Sequence, residues 1–202
     1  MLGLWLAAGF AQAATPYEER LGAGGGWRPP VVGRGDAVSA YESGRFATAL
    51  RLLKPFAEAG DPDAQLKAGR ILGGLGEMGV GAERVPKDSG AAALWLGRSA
   101  RGGNAAAMRE YGRAAELGEG MPKDLVLAFR SYAGAAQKLP EGEGKAAALA
   151  DALRLKPEAA RYAAQFPAGD RQAQSLAAAL RWTEGAAQAS GVTSATGPEL
   201  RR

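Results

Sequence analysis

Apolar and small residues recur at three- and four-residue intervals through the middle of the chain, which is the period of one face of an α-helix. Glycines separate these runs, as expected where helices end. The first two runs, which end at Gly44 and near Gly60, predict a leading helical hairpin over residues 36–59. Most of the predicted helices open on a residue that can accept the free backbone N–H groups of the first turn. These predicted caps are Asp36, Asp61, Asp88, Asn104 and Asp124.

One short motif occurs twice. Pro86-Lys87-Asp88 returns 36 positions later as Pro122-Lys123-Asp124, each time after a glycine-rich turn and before an alanine-rich helix. A fixed period of this length indicates stacked repeats, each of which buries its apolar face on its neighbour. The preceding helices align at a spacing of 43, so the first copy carries seven more residues, which we place in the loop over 73–85. We expect an all-α fold with repeat one over 60–103 and repeat two over 104–139.

The beginning of the chain predicts a segment for export. The first ten residues are apolar, and Ala11-Gln12-Ala13 follows as a small-x-small cleavage pattern. Together they predict a secretory signal peptide over 1–13, which is too short to span a bilayer. No Lys or Arg precedes the apolar run, so an uncleaved anchor and a buried helix remain alternatives. The runs of glycine and the paired prolines predict a flexible arm over 14–35.

The repeat pattern fades beyond Pro140. Helices are predicted over 145–155, from Pro157 to about residue 166, and from Asp170 through Trp182. Such helices, within 140–189, would cover the apolar end of the stack, because a terminal repeat cannot leave its apolar face in water. A polar tail is expected over 190–202.

Small, aromatic and turn residues recur at matching places in the two copies. They are Ala64, Gly69, Pro86, Lys87, Asp88, Ala92 and Trp95 in the first copy, and Ala107, Gly112, Pro122, Lys123, Asp124, Ala128 and Tyr132 in the second. Over about half of the chain this pattern resembles the Sel-1-like repeat family, which is related to the tetratricopeptide repeat. The second copy departs from the family pattern at Met108, Phe129 and Ser131. The resemblance implies a right-handed α-α superhelix (solenoid) of helical hairpins and an adaptor that binds proteins or peptides.

Large aromatic side chains at helical spacing are expected in the core. They are Trp95, Tyr111, Tyr132 and Trp182. We expect Trp95 in particular to be buried between the helices of repeat one.

The composition excludes several kinds of chemistry. The chain contains neither cysteine nor histidine, which removes disulfides, thiolate ligands, cysteine nucleophiles and the commonest general base. It has no Ser-x-x-Lys sequence, so it lacks the nucleophile pair of the penicillin-binding proteins. Residues 74–79 have the glycine spacing of a dinucleotide fingerprint, but a helix and not a strand precedes them. We expect no catalytic residues, no cofactor and no metal site.

The charged residues suggest one candidate surface. The net charge is +4, and the charges are scattered, without the dense basic stripe of a nucleic-acid-binding protein. Four cations occupy the first helices of the two repeats, namely Lys67, Arg70, Arg109 and Arg113. First helices in such stacks usually line the concave face, where arginines can hold carboxylates of an acidic segment in forked bonds. The alternative is that these side chains simply cover a solvated face.

The function favoured by these observations is an exported, monomeric scaffold for protein–protein interaction in the bacterial cell envelope, periplasmic or secreted. We expect no nucleic-acid partner, no stable membrane span after signal cleavage and no catalysis by the chain itself. The alternative is a regulatory subunit or an enzyme of cell-wall (peptidoglycan) metabolism.

Overall fold

The computed structural model describes residues 33–167 and 170–191. The chain divides into two units, Met1–Val31 and Val32–Arg202, and all described residues belong to the second. The predicted signal peptide, its cleavage site, most of the flexible arm and most of the polar tail therefore lie outside the described residues.

The described part of the chain is all-helical, with eight α-helices and no strand. In chain order the helices are α1 Arg34–Glu42, α2 Phe46–Glu58, α3 Pro62–Leu72, α4 Ser89–Arg101, α5 Ala105–Leu117, α6 Leu125–Lys138, α7 Glu143–Ala163 and α8 Arg171–Ser190. Each helix packs on the next one along the chain, and α6 also contacts α8. This arrangement of stacked helical hairpins confirms the predicted all-α solenoid.

Side-chain caps fix where most helices begin. Asp61, Asp88, Asn104 and Asp124 each accept at least one backbone N–H from the first turn of the helix that follows, at 2.8–3.4 Å. The prediction of Asp36 as a cap was wrong, because α1 begins earlier, at Arg34. Asp36 lies within the first turn instead, and its carboxylate accepts the backbone N–H of the residue three positions before it at 2.9 Å.

The core consists mainly of alanines, which lets the helices approach closely. Gly69 of α3 faces Leu96 of α4, where an added Cβ would lie 2.8 Å from the leucine Cγ. Gly112 of α5 faces Tyr132 of α6 in the equivalent place of repeat two, where a Cβ would lie 3.0 Å from ring carbons. In both repeats the two helices therefore meet at a glycine, and a larger residue in its place would push the helices apart.

Only one of the four aromatic residues expected in the core is buried. Tyr132 is buried, but Trp95, Tyr111 and Trp182 are only half-buried, so the expectation of a buried Trp95 was wrong. The Trp95 ring lies at the edge of the core, with the Arg98 guanidinium 4.9 Å from its centroid. The largest fully buried side chain in the described part of the chain is Phe129, one of the positions at which repeat two departs from the family pattern.

The C-terminal helices are longer than predicted. A break was expected at Pro157, yet α7 continues through it as one helix of 21 residues. The apolar face continues across the proline, since Leu155 before it and Ala159 after it are both buried in the cluster with Leu176 of α8. This packing outweighs the lost backbone hydrogen bond. Helix α8 also runs eight residues beyond Trp182, because its last turns pack on a second cluster with α7.

Candidate partner-binding groove

The first helices of successive hairpins, α3, α5 and α7, together form one surface, which we call the first-helix face. Arg70 lies on α3, and Arg109 and Arg113 lie on α5. All three line one groove of about 310 Å³, which reaches to Asp151 of α7. The structure thus brings together three of the four predicted cations, but Lys67 does not line this groove. Its ammonium lies 5.7 Å from the ring centroid of Tyr41 on α1.

Each groove arginine has an acidic partner within the chain. Both Nε and Nη2 of Arg70 donate to Oε1 of Glu110, at 2.8 and 2.5 Å. Arg109 donates to Oδ2 of Asp151 at 3.2–3.3 Å, and Arg113 lies 3.4 Å from a carboxylate oxygen of Glu119. The positive charges of the groove are therefore compensated by acidic side chains, none of which was among the candidate residues predicted from the sequence.

The Arg70–Glu110 pair is better protected from solvent than the Arg113–Glu119 pair. The side chains are 38% and 32% exposed, compared with 60% for Arg113. Burial acts to lower the pKa of Arg70, but the hydrogen bond and the charge of Glu110 outweigh it and raise the pKa above its ordinary value. Arg70 is thus a fixed cation, whereas Arg113 can exchange its partner with little loss.

A second polar cluster joins α5 to α7 beside the groove. Arg154 donates to both carboxylate oxygens of Glu116 at 2.5 and 2.9 Å, and the Tyr132 hydroxyl donates to Glu116 at 2.9 Å. The bond from Arg154 is the main reason that the pKa of Glu116 lies below its ordinary value. Burial and the bond to Glu116 raise the pKa of Tyr132. Both groups therefore keep their ordinary charge states at neutral pH.

An adjacent cavity of about 280 Å³ shares Arg70, Glu110 and Arg113 with the groove. Lys87, in the turn before α4, and Ser89, the first residue of α4, also line it. We call it the repeat-one cavity. Its remaining lining is Gly69, Gly73, Leu75, Ala92, Ala93, Leu96, Ala114 and Glu119.

The repeated Pro-Lys-Asp motif is a structural turn with an exposed lysine. The backbone N–H of Asp88 donates to the Leu72 carbonyl, and that of Asp124 donates to the Ala115 carbonyl, both at 2.8 Å. These equivalent bonds tie the turn back to the first helix of each repeat. The lysines differ in their surroundings, because Lys87 lines the repeat-one cavity whereas Lys123 lines a separate cavity of about 640 Å³ near the start of α8.

The residues that the structure describes contain neither a membrane-spanning helix nor a metal-binding cluster. Over 33–167 and 170–191, no helix combines the length and the apolar character needed to cross a bilayer. The same residues contain no group of three acidic side chains placed to hold a metal ion.

Comparisons with known proteins identify similar folds. No protein-family model matches the chain, and no curated protein matches it. A Sel1 repeat protein from Oxalobacter formigenes is 30% identical, over 52% of this chain and 90% of that chain, with a TM-score of 0.40. The protein c5321, a protective antigen present in uropathogenic Escherichia coli strains that displays an SLR fold, is 17% identical over 84% of this chain, with a TM-score of 0.50. The match covers 35% of c5321, so this chain spans about a third of its length.

The stacked helical hairpins and these similarities define the class of protein. The chain is a helical-repeat protein, and its fold is similar to the SLR fold that c5321 displays. It belongs to the Sel1-like repeat proteins, as the identity across most of the Oxalobacter formigenes chain shows. The resemblance stated from its repeat motifs is thereby confirmed.

Proposed function

We propose that the chain is a scaffold that binds a protein or peptide through the groove of the first-helix face, without catalysis of its own. The observation that carries this proposal is the convergence of Arg70, Arg109 and Arg113, from two successive repeats, on one groove. Their partners Glu110 and Asp151 line the same groove, so a bound segment meets fixed donors and fixed acceptors. Such an arrangement favours an extended polar segment over a small molecule.

The pairing of the arginines indicates how an acidic segment would bind. A carboxylate of the partner has to compete with the carboxylates already present in the chain. Arg113 has the longest ion pair and the most exposed side chain of the three, so it exchanges its partner first. Arg70 remains held by Glu110 and supplies a positive field at a fixed place.

We further propose that the chain acts as a monomer in the bacterial cell envelope, periplasmic or secreted, after cleavage behind Ala13. The support is the apolar run and the Ala-Gln-Ala pattern in the sequence. Intact-mass measurement of the exported protein should show Ala14 as the first residue. A protein that begins at Met1 and stays in the cytoplasm would contradict this part of the proposal.

The binding proposal is tested by affinity capture from a periplasmic extract, followed by mass spectrometry and a binding measurement with the purified partner. The double variant Arg70→Glu/Arg113→Glu should lose the partner that the wild type captures. The control Arg51→Glu/Arg84→Glu makes the same change of charge at exposed arginines outside the groove and should retain it. If the Arg70→Glu/Arg113→Glu variant binds the captured partner with unchanged affinity, the groove is not the binding site.

Two further variants separate binding from folding. Arg70→Lys/Arg113→Lys keeps the charge but removes the forked donors, so it should weaken binding without changing the circular dichroism spectrum. The exchange Arg70→Glu/Glu110→Arg keeps the internal ion pair while it moves the cation from α3 to α5. Added salt should weaken binding by the wild type, because exposed charges are screened.

A further inference from the structure

The repeat-one cavity differs from the equivalent place in repeat two. In repeat one the small residues Gly73 and Ala93 line the cavity. The corresponding residues of repeat two are Glu116, which is bonded to Arg154, and Phe129, which is fully buried. The place that is a cavity in repeat one is therefore occupied by larger side chains in repeat two.

The cavity combines an apolar floor with a cationic rim. The floor contains Leu75, Ala92, Ala93 and Leu96, and Ser89 also lines the cavity. Three cations, Arg70, Lys87 and Arg113, and two acids, Glu110 and Glu119, line it, which leaves one excess positive charge.

The cations of this rim differ in their availability. Arg70 is engaged by Glu110 through two hydrogen bonds. Arg113 has a single long contact of 3.4 Å to Glu119. Lys87 makes no ion pair with any residue in the part of the chain that the structure describes. Two cations on one small cavity are thus open to an external carboxylate.

We propose that the repeat-one cavity is the anchor point for a carboxylate of the bound segment, which contacts Lys87 and Arg113. The apolar floor takes the short aliphatic part of the same residue or of its neighbour. This inference rests on the proposed binding function and assigns a role to Lys87, which the repeat pattern alone presents as a turn residue. The ligand chemistry is a carboxylate beside a small apolar group, supplied by an Asp or Glu side chain or by a chain terminus.

The cations and the partial enclosure of the repeat-one cavity favour the binding of an anion there. Charge-assisted hydrogen bonds are stronger than neutral ones, and the partly enclosed cavity reduces the competition from water. The ion pair that Arg113 gives up is solvent-exposed, so its loss subtracts little from binding. Lysine has a flexible stem and can follow the carboxylate, whereas the neighbouring Arg70 is held by Glu110.

The test is a nuclear magnetic resonance titration of the full chain with short blocked peptides, in which the backbone amide of Ser89 is followed. Acetyl-Ala-Ala-Glu-Ala-amide supplies a side-chain carboxylate, acetyl-Ala-Ala-Ala supplies a terminal one, and acetyl-Ala-Ala-Gln-Ala-amide is the neutral control. At least one of the acidic peptides should bind, and the glutamine peptide should bind about tenfold more weakly. Which acidic peptide binds identifies the source of the carboxylate.

A matched pair of lysine variants supplies the control. Lys87→Gln should weaken the acidic peptide about tenfold, whereas Lys123→Gln, at the equivalent position of repeat two, should leave its affinity unchanged. Equal binding of the glutamine and acidic peptides would overturn the inference. It would also be overturned by equal effects of the two lysine changes, or by an unmoved Ser89 resonance at about 10 mM of each acidic peptide.

This result is separable from that of the proposed function. If the captured partner is lost with Arg70→Glu/Arg113→Glu but binds Lys87→Gln with full affinity, the groove stands and the anchor is wrong. If Lys87 controls binding of the acidic peptide but the captured partner binds Arg70→Glu/Arg113→Glu with unchanged affinity, the cavity is a carboxylate site and the groove is wrong as the partner-binding site.

Discussion

Gly120 shows how closely one repeat contacts the next. Its φ is +73°, and an added Cβ would lie 1.9 Å from the backbone oxygen of Ser89. The turn of repeat two therefore rests directly on the first peptide groups of α4. Gly44 also has a positive φ, of +72°, but no atom lies within 4 Å of the place for its Cβ.

Gly120→Ala should destabilise the fold far more than Gly44→Ala. Both changes cost about 1 kcal/mol or slightly more through the left-handed backbone, and only the first adds a collision with backbone that cannot move aside. We expect a loss of unfolding free energy above about 3 kcal/mol at Gly120. Urea denaturation of the two variants measures the difference, and equal midpoints would contradict the described contact between the repeats.

Phe129 and Trp95 give a second comparison at this scale. Phe129 is fully buried, so Phe129→Ala should cost about 3–5 kcal/mol through lost burial and a cavity. Trp95 is half-buried, and Trp95→Ala should cost clearly less. Denaturant unfolding of both variants checks the order, and a larger cost at Trp95 would show that its ring is more deeply buried than described.

The starts of the helices could be predicted from the sequence more reliably than the packing between them. A cap such as Asp61 or Asp124 acts on amides two or three residues away, so local sequence reveals it. The continuation of α7 through Pro157 depends on what lies across from its apolar face, which local sequence does not contain. The acidic partner of Arg70, 40 residues away on α5, is hidden for the same reason.

The seven-residue insertion also has a role that its sequence did not reveal. Glu83, at the end of the loop, accepts the backbone N–H and the hydroxyl of Thr48 in the first turn of α2, at 2.9 and 2.8 Å. Helix α2 has no side-chain cap of its own. The loop therefore supplies the missing acceptor from 35 residues away.

Acid should release this loop. The backbone and hydroxyl bonds from Thr48 lower the pKa of Glu83 below its ordinary value of 4.5. A lowered folded-state pKa means that the contact stabilises the fold above the ordinary value and is lost as the pH falls through the lower one. Hydrogen exchange at Thr48 should therefore accelerate, after correction for intrinsic rates, only at pH values below the ordinary pKa of 4.5.

Glu83→Gln should remove most of this pH dependence, whereas Glu77→Gln changes an exposed acid of the same loop and should preserve it. A profile that is the same in both variants would show that another group controls the loop.

Across the whole described molecule, ion pairs link each first helix to the next. Arg34 of α1 contacts Asp61 and Asp63 at the start of α3, Arg70 joins α3 to α5, and Arg109 joins α5 to α7. Their members are separated by 27 to 42 residues, so they stabilise the stack and not the individual helices.

A double-mutant cycle tests this linkage at Arg109 and Asp151. Either single change, Arg109→Asp or Asp151→Arg, should cost about 1 kcal/mol, because like charges then face each other between half-exposed side chains. The exchange of both residues should recover most of that stability. Unfolding free energies at low salt give the coupling, and additive effects of the two changes would show that the pair does not connect the helices.

The contact between Glu83 and Thr48 also limits how the repeats could be rearranged. Repeat two has the shorter turn and no such extension, so it could not cap a preceding hairpin if it were moved to the place of repeat one. A chain built from copies of repeat two would leave the start of α2 without its acceptor. A chain built from copies of repeat one would carry an unused extension in every copy after the first. The two repeats share a period, but one cannot replace the other. A longer solenoid should therefore keep repeat one beside the leading hairpin and add copies of repeat two after repeat two.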